Sequence, residues 1–205
     1  MKIIIEIIES SNLKIWTLFC ILLSILLRFT ISSYFFPDQN YLTFSDQSKY
    51  IYRADLILNG NFFSEEWGAL RMPGYPLFLS IIKLFFNNLY FVIFIQNLFL
   101  FFTYLYIIKL NNYFSDLSVK IFILTFSISL NIILYSQLIL TESIILPLSV
   151  ILFYLIFDQY YSANKSNYIK IAIIFSLISL IRPQFIYLSP IIILFPLFIK
   201  NEKKK

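Results

Sequence analysis

The residue types that could do chemistry are concentrated in residues 37–88. Within this stretch, residues 45–59 have the pattern of a short helix that ends at an Asn-Gly pair. Asp46, Tyr50 and Ala54 are spaced four residues apart, so they share one face of that helix. A carboxylate at the start of such a helix can act as a general base, or as an electrostatic partner for a hydroxyl group or a metal ion.

Asp46 also has a structural interpretation, because Thr43 stands three residues before it. A threonine followed three residues later by an acidic residue predicts a helix capping box, in which both side chains satisfy backbone amides. On the spacing alone, the structural and the functional roles of Asp46 are equal alternatives.

The chain has no histidine and a single cysteine, Cys20. These counts exclude disulfides, cysteine-ligated metals, histidine-bound zinc and a Ser-His triad. Carboxylates, tyrosines, lysines and arginines therefore have to supply any catalysis. We predict no metal site, and the composition leaves the cofactor unknown, because a divalent cation between Asp46 and Glu142 is compatible with it.

Arg71 begins the sequence RMPGYPLFL, in which two prolines flank Gly74 and Tyr75. Proline and glycine at this spacing predict a rigid turn that opens a short helix. The free amides of that helix start, together with Arg71, would suit a phosphate group. The alternative is a structural turn with an arginine at the membrane interface.

Glu142 and Arg182 are charged residues at the edges of apolar runs, and Glu142 is the only acidic residue between Asp116 and Asp158. Ionisable groups in or near membrane spans are costly, so a functional role is the default interpretation. The alternative for Glu142 is a structural role at the start of the next helix. Arg28 and Arg182 lie inside apolar runs near their ends, where snorkelling to the interface is the alternative explanation.

The composition indicates a protein whose solvent is largely lipid. Hydrophobic residues make up 60% of the chain, charged residues 13%, and the mean hydropathy is +0.81. Soluble domains contain about 45–50% apolar and about 25% charged residues. The net charge of +5 is mostly explained by lysines beside the apolar runs and in the C-terminal tail, so nucleic acid is not an expected partner.

Six apolar runs approach the length of about 20 residues that a membrane span needs. They are residues 15–36, 89–109, 118–138, 143–159, 169–181 and 184–199. The lysines that flank them fall on one side of the membrane only if the number of spans is even. A shorter run, residues 74–86, carries Lys83 and has the length of an interfacial or re-entrant helix.

We therefore predict an all-α membrane protein with about six transmembrane helices, plus short juxtamembrane helices in the first external loop, residues 37–88. The prediction places a cytoplasmic N-terminus at residues 1–14, the transmembrane domain at 15–199 and a basic cytoplasmic tail at 200–205. Both termini are expected in the cytoplasm and the chain in the cytoplasmic (inner) membrane. A loop of this length is usually functional or disordered, and its apolar periodicity favours function.

The order of these features resembles the N-terminal part of a known enzyme family. The features are a span with an arginine, Asp46-x3-Tyr50-x3-Ala54, the RMPGYPLFL segment, Thr141-Glu142 and Arg182-Pro183. They are similar to the GT-C glycosyltransferases, in the bacterial family 39-like branch related to protein O-mannosyltransferases and lipid A aminoarabinose transferases. The resemblance covers about residues 30–190, and because members of that family are longer, it implies the N-terminal part of such an enzyme.

The resemblance implies a GT-C fold and the transfer of a sugar from a polyprenyl-phosphate carrier on the extracytoplasmic face. Asp46 matches the catalytic aspartate of the family's first loop. Arg71 and Glu142 match positions near the phosphate of the carrier. The residues expected to bind the substrate and the carrier phosphate are Arg71, Glu142, Tyr50, Tyr75 and Arg182.

The expected partners are a polyprenyl-phosphate sugar, membrane lipid and an acceptor that is a glycan, a lipid or a protein. A hypothesis from a different class is a non-catalytic membrane subunit, or a component that binds or transports lipid-linked sugars. Transporters often carry ionisable groups near the midplane and are built from two repeated halves. The sequence has no visible repeat and its acidic residues cluster in the external loop, which favours the enzyme.

Overall fold

The computed structural model describes residues 8–36, 42–43, 45–61, 72–86, 88–162 and 165–191. Of these described residues 87% are helical, and none of them is in a strand. The principal helices are α1 (Leu13–Phe35), α2 (Asp46–Leu58), α3 (Gly74–Phe85), α4 (Leu89–Lys109), α5 (Asp116–Ile128), α6 (Leu130–Ser136), α7 (Glu142–Ser162) and α8 (Lys165–Ile181). Short 3-10 helices follow α4 at Leu110–Asn112 and α8 at Pro183–Leu188.

Three helices of the described chain are long and apolar enough to cross a membrane: Leu13–Phe35, Leu89–Asn112 and Glu142–Ser162. The helices α5 and α6 together also reach the length of a span, but they are bent by 51° at a break between them. Counted as one broken span, this pair brings the number to four. The chain is thus an all-helical protein with helices of membrane-spanning length, in agreement with the predicted class.

The remaining predicted runs have a different form from the long helices. Residues 169–181 fall in α8, whose apolar part, Ser166–Ile181, is shorter than a span. The run at 184–199 begins in the 3-10 helix, and its part from residue 192 onward lies outside the described residues. A total of six spans therefore stays a prediction.

The surface of α1 supports the membrane assignment. Large apolar side chains on it are more than half exposed, among them Ile15, Leu18, Leu22 and Phe29. A water-soluble protein rarely exposes a contiguous apolar surface of this kind. The exposed side chains are therefore best solvated by lipid.

The first loop contains the two short helices α2 and α3, as the sequence predicts. Gly60 has the left-handed φ of +76°. Its amide and that of Asn61 bond back to the carbonyls of Ile57 (3.1 Å) and Leu56 (2.8 Å), which is the pattern of a Schellman motif. Glycine adopts this backbone conformation without a steric penalty, and this explains why α2 ends here.

Packing between α2 and α3 aligns their N-terminal ends. The rings of Tyr50 and Tyr75 meet edge to face, with centroids 5.0 Å apart. Further along both helices, the ammonium group of Lys83 pairs with the carboxylate of Asp55. Because both contacts join corresponding positions, the two helices run in the same direction and bring the start of α2 beside the start of α3.

Gly74 lets the start of α3 approach the end of α8 very closely. A Cβ atom at this position would lie 2.6 Å from the carbonyl oxygen of Leu180 and 3.0 Å from the amide nitrogen of Ile181. No larger residue fits without moving the backbone. The absence of a side chain therefore brings the residue after α8, Arg182, next to the first loop.

The connection between α6 and α7, residues 137–141, is irregular and packs against α2. The side chain of Gln47 is buried, with 6% exposure, and its Oε1 accepts a hydrogen bond from the amide of Ile139 at 2.9 Å. This bond satisfies a backbone donor that no helix uses. It also ties the first turn of α2 to the segment that leads into Glu142.

Candidate functional site

A polar cleft of about 270 Å³ lies where the starts of α2 and α3 meet the end of α8. Its lining comes from three separate parts of the chain and consists of Asp46, Tyr50, Met72, Ile181, Arg182, Pro183 and Gln184. Three of the residues predicted from the sequence, Asp46, Tyr50 and Arg182, are thus brought together in one cavity. Asp46 and Tyr50 share one face of α2, but Arg182 is 132 residues after Tyr50, so only the packing of the helices brings it to them.

Arg182 is held in place by the start of α7. Its Nη2 donates to a carboxylate oxygen of Glu142, and its Nε donates to the hydroxyl of Thr141 at 3.1 Å. The hydroxyl of Thr141 in turn donates to the second oxygen of Glu142 at 3.0 Å. The Arg182 and Glu142 side chains are 39% and 31% exposed, so the pair is reachable from the cleft.

This arrangement leaves Arg182 capable of binding an anion. A guanidinium carries five N–H donors in a planar fork. Among the described residues, Nε donates to Thr141 and one N–H of Nη2 donates to Glu142. The other donors match a phosphate, for which arginine is well suited. Glu142 keeps the side chain in one orientation and partly balances its charge.

Asp46 is the first residue of α2 and faces solvent, with 52% of its side chain exposed. The ammonium group of Lys49 lies 3.4 Å from its carboxylate. A carboxylate in the first turn of a helix interacts favourably with the helix dipole. An exposed carboxylate on the wall of a cleft is chemically able to accept a proton.

The capping-box alternative for Asp46 does not fit the observed helix. The N-cap residue is Ser45, which has φ +57° and makes no capping bond with its side chain, and the helix starts at Asp46 itself. Thr43 would have to be the N-cap, with Asp46 at the third helical position. The helix begins two residues too late for that, because the chain enters it from a left-handed residue.

Tyr75 is completely buried and does not line the cleft. Its hydroxyl accepts a hydrogen bond from Nε2 of Gln96 at 2.6 Å, which joins α3 to α4. Burial raises the pKa of Tyr75 well above its ordinary value, since the phenolate would lose its hydration. Tyr75 therefore supports Tyr50 through ring packing, whereas the sequence predicted a role in binding.

Arg71, which the sequence predicts to bind the phosphate, lies outside the described residues. Among the described basic residues of the first loop, Lys83 is not part of the cleft lining. Lys83 is paired with Asp55, and Asp55 follows Asp46 by nine residues, which is about 13 Å along a helix. Of the basic residues expected at the site, Arg182 is the one that the described structure brings to the cleft.

The direction of the Arg28 side chain does not fit the snorkelling explanation. Its side chain is 4% exposed and turns into the bundle, where Nε donates to the hydroxyl of Ser136 at 3.1 Å. The guanidinium also lies over the ring of Phe101, with a distance of 5.5 Å to the centroid. A snorkelling arginine would instead extend along α1 towards the headgroups.

The sequence did not indicate a role for Gln47 and Thr141, two residues that hold the elements around the cleft together. Gln47 and Thr141 have polar side chains that bond across elements, to Ile139 and Arg182 respectively. Thr141 belongs to the Thr-Glu motif, but the sequence predicted a binding role for Glu142 alone. A weak signal for Gln47 was available, since it is a polar residue on the face of α2 opposite the exposed positions.

A metal centre finds no support in the described residues. Among them, no three Asp, Glu or Cys side chains are grouped so that they could hold a metal ion. Glu142 is engaged by the guanidinium of Arg182, which occupies the place that a cation would take beside that carboxylate.

Comparison with known proteins yields no match: no family model, no curated protein and no solved structure is similar to this chain. Any function is therefore inferred from the motifs and from the geometry of the cleft.

Proposed function

We propose that this chain is a glycosyltransferase of the GT-C type that moves a sugar from a polyprenyl-phosphate carrier to an acceptor on the extracytoplasmic face. The observation that carries the proposal is the cleft, in which a carboxylate, Asp46, and a guanidinium, Arg182, line the same cavity. Transfer from a phosphate leaving group needs both a base for the incoming hydroxyl and a cation for the departing oxygen.

In this reaction the hydroxyl of the acceptor attacks the anomeric carbon of the sugar. Asp46 accepts the hydroxyl proton, the bond between the anomeric carbon and the phosphate oxygen breaks, and the polyprenyl phosphate leaves. Arg182 stabilises the negative charge that develops on the phosphate, while Glu142 and Thr141 hold its guanidinium in position. Tyr50 forms part of the same wall and is available to contact the sugar.

The location of the cleft suits a substrate that is anchored in a membrane. It lies at the end of α8, where Arg182 pairs with Glu142 at the start of α7, and beside the helices α2 and α3, which are too short to span. A carrier whose phosphate stays in the headgroup layer would meet the cleft at that level. In the proposed topology six spans place both termini in the cytoplasm of an inner-membrane protein, and the loop at 37–88 lies outside.

The decisive experiment replaces Asp46→Asn in the full chain and measures transfer in membranes from radiolabelled polyprenyl-phosphate hexoses and pentoses. Loss of a general base lowers rates by about 100-fold or more, so we expect transfer to fall by at least that factor. Undiminished transfer in the variant would contradict the assignment.

Glu9→Gln is the control, because it removes an exposed carboxylate that precedes α1 and is not part of the cleft lining. Its transfer, normalised to folded protein, is expected to equal that of the wild type. The non-catalytic hypothesis has a different signature: the wild-type chain would bind the polyprenyl-phosphate sugar, Arg182→Gln would weaken that binding, and no sugar would be transferred.

A further inference from the structure

A second cavity, separate from the proposed active site, opens on the lipid-facing side of the bundle between α1 and α4. Its volume is about 340 Å³. Its lining consists of Ile25, Arg28, Phe29, Ser32, Phe94, Asn97, Phe101 and Gln137. Phe29 and Phe94 are 72% and 57% exposed, so the rim of this groove consists of side chains that meet lipid.

Arg28 forms the floor of the groove and is rigidly held. The backbone oxygen and the hydroxyl of Ser24 both accept from its Nη1, the former at 3.1 Å, and the hydroxyl of Ser136 accepts from Nε. Its Nη2 is buried and has no hydrogen-bond partner among the described residues. None of the described residues that line the groove is acidic, so no lining residue balances the charge of this guanidinium, which is 4% exposed.

Asn97 presents the complementary group next to Arg28. Its Nδ2 donates to the carbonyls of Ile93 (2.9 Å) and Ser136 (3.1 Å), and these two bonds fix the orientation of the amide. Its Oδ1 is buried and also lacks a partner among the described residues. Arg28 and Asn97 are thus both anchored on Ser136 and line the same cavity.

A buried charge without a partner is unfavourable by several kcal/mol, and unsatisfied polar groups in a bilayer are costly as well. A ligand that removes both penalties has to bring an anionic acceptor for Nη2 and a hydrogen-bond donor for Oδ1. It also has to carry apolar chains, because the remaining walls of the groove are largely hydrocarbon.

We propose that this groove binds a membrane phospholipid whose headgroup combines a phosphate with a hydroxyl, as phosphatidylglycerol does. The phosphate binds Nη2 of Arg28, a glycerol hydroxyl donates to Oδ1 of Asn97, and the acyl chains lie along the apolar rim. Arg28 is seven residues before the end of α1, which is about 10 Å. The headgroup is therefore drawn about 10 Å below the end of α1, a depth that local thinning of the bilayer around a charged group accommodates.

The groove adjoins the proposed active site through one segment of chain. Ser136 and Gln137 contact or line the groove, and Thr141, a few residues later, holds Arg182. The lipid would thus stabilise the connection between α6 and α7 without taking part in the reaction. Its binding does not depend on the proposed transferase activity.

Native mass spectrometry of the full chain in detergent tests the proposal, with phosphatidylglycerol or phosphatidylcholine added at equal concentration. Phosphatidylcholine has the phosphate but no donor and carries a quaternary ammonium that Arg28 repels. We expect the wild type to retain phosphatidylglycerol at least tenfold better, since charge-assisted hydrogen bonds are the stronger ones. Equal retention of the two lipids would overturn the proposal. Equal retention of soluble glycerol phosphate, added alone at the same concentration, would overturn the assignment to a membrane lipid.

Variants assign the binding to the groove. Arg28→Gln is expected to abolish the preference, and Lys14→Gln, which alters an exposed charge at the start of the same helix, should leave it unchanged. Because Arg28→Gln is a change in a buried position, Ser32→Phe provides an independent test: it fills the groove and keeps the guanidinium. A Ser32→Phe protein that is folded and still prefers phosphatidylglycerol would contradict the site.

Discussion

Arg182 has contacts that a lysine cannot reproduce. Two different nitrogen atoms of its guanidinium bond to Thr141 and Glu142 at the same time. The planar fork makes this possible, whereas an ammonium group is a compact point charge on a flexible stem. The pair is partly exposed, so its value lies in orienting the cation more than in stabilising the fold.

We therefore predict that Arg182→Lys lowers transfer about tenfold although the charge is conserved, and that Arg182→Gln lowers it further. Initial rates measured over a range of donor concentrations, with the amount of folded protein determined by fluorescence-detected size exclusion, check this. If Arg182→Lys retained full activity, the charge alone would suffice and the fork would have no role.

At the scale of the elements, the contact between α3 and α8 decides whether the cleft forms. Gly74 lies so near Leu180 that a Cβ atom would be 2.6 Å from a backbone oxygen. The lack of a side chain at Gly74 thus sets the distance between Arg182 and the first loop.

Gly74→Ala is predicted to separate α3 from α8, with a cost of about 1–3 kcal/mol from overpacking and a loss of most of the transfer activity. Gly60→Ala is the comparison, because a Cβ there meets nothing within 4 Å although φ is +76°. That change should cost about 1 kcal/mol through backbone strain and leave the cleft intact. Thermal melting in detergent and transfer assays separate the two effects. Equal loss of activity in both variants would argue against the close approach as the cause.

At the scale of the whole molecule, three of the described helices are long and apolar enough to cross a membrane, and the orientation is a separate prediction. The broken helix pair α5–α6 crosses the bilayer in our topology, so that its start lies in the cytoplasm and the turn at residues 137–141 lies outside. The irregular backbone of that turn is covered by Gln47, which bonds to the amide of Ile139, and by the start of α7, where the amide of Ser143 bonds to the carbonyl of Leu140. Irregular backbone near a bilayer is tolerated only where protein covers it in this way.

Cysteine labelling tests this orientation. The single native cysteine is replaced first, as Cys20→Ala, and either Asn61→Cys or Ser115→Cys is then introduced at an exposed position. A membrane-impermeant maleimide added to intact cells is expected to label the cysteine at position 61 and to label the one at position 115 only after lysis. Labelling of position 115 in intact cells would invert the topology and place the cleft in the cytoplasm.

The sequence alone determined those features that depend on local chemistry. Apolar length and the scarcity of charge predict an all-helical chain with helices long enough to cross a membrane, and the described residues contain three such helices. The short helix that starts at Asp46 and ends before Gly60, and the 12-residue helix from Gly74, were also predictable, because glycine and proline act within a few residues.

Only the tertiary structure decided which charged groups meet. Arg182 and Glu142 are 40 residues apart, and Arg28 and Ser136 are 108 residues apart. Arg28 and Arg182 lie in similar apolar segments, so the sequence predicted the same alternatives, function or snorkelling, for both. The packing turned one towards a polar cleft and the other into the bundle, because the direction of a side chain depends on how neighbouring helices are rotated against each other. Hydropathy and local spacing carry no information about that rotation.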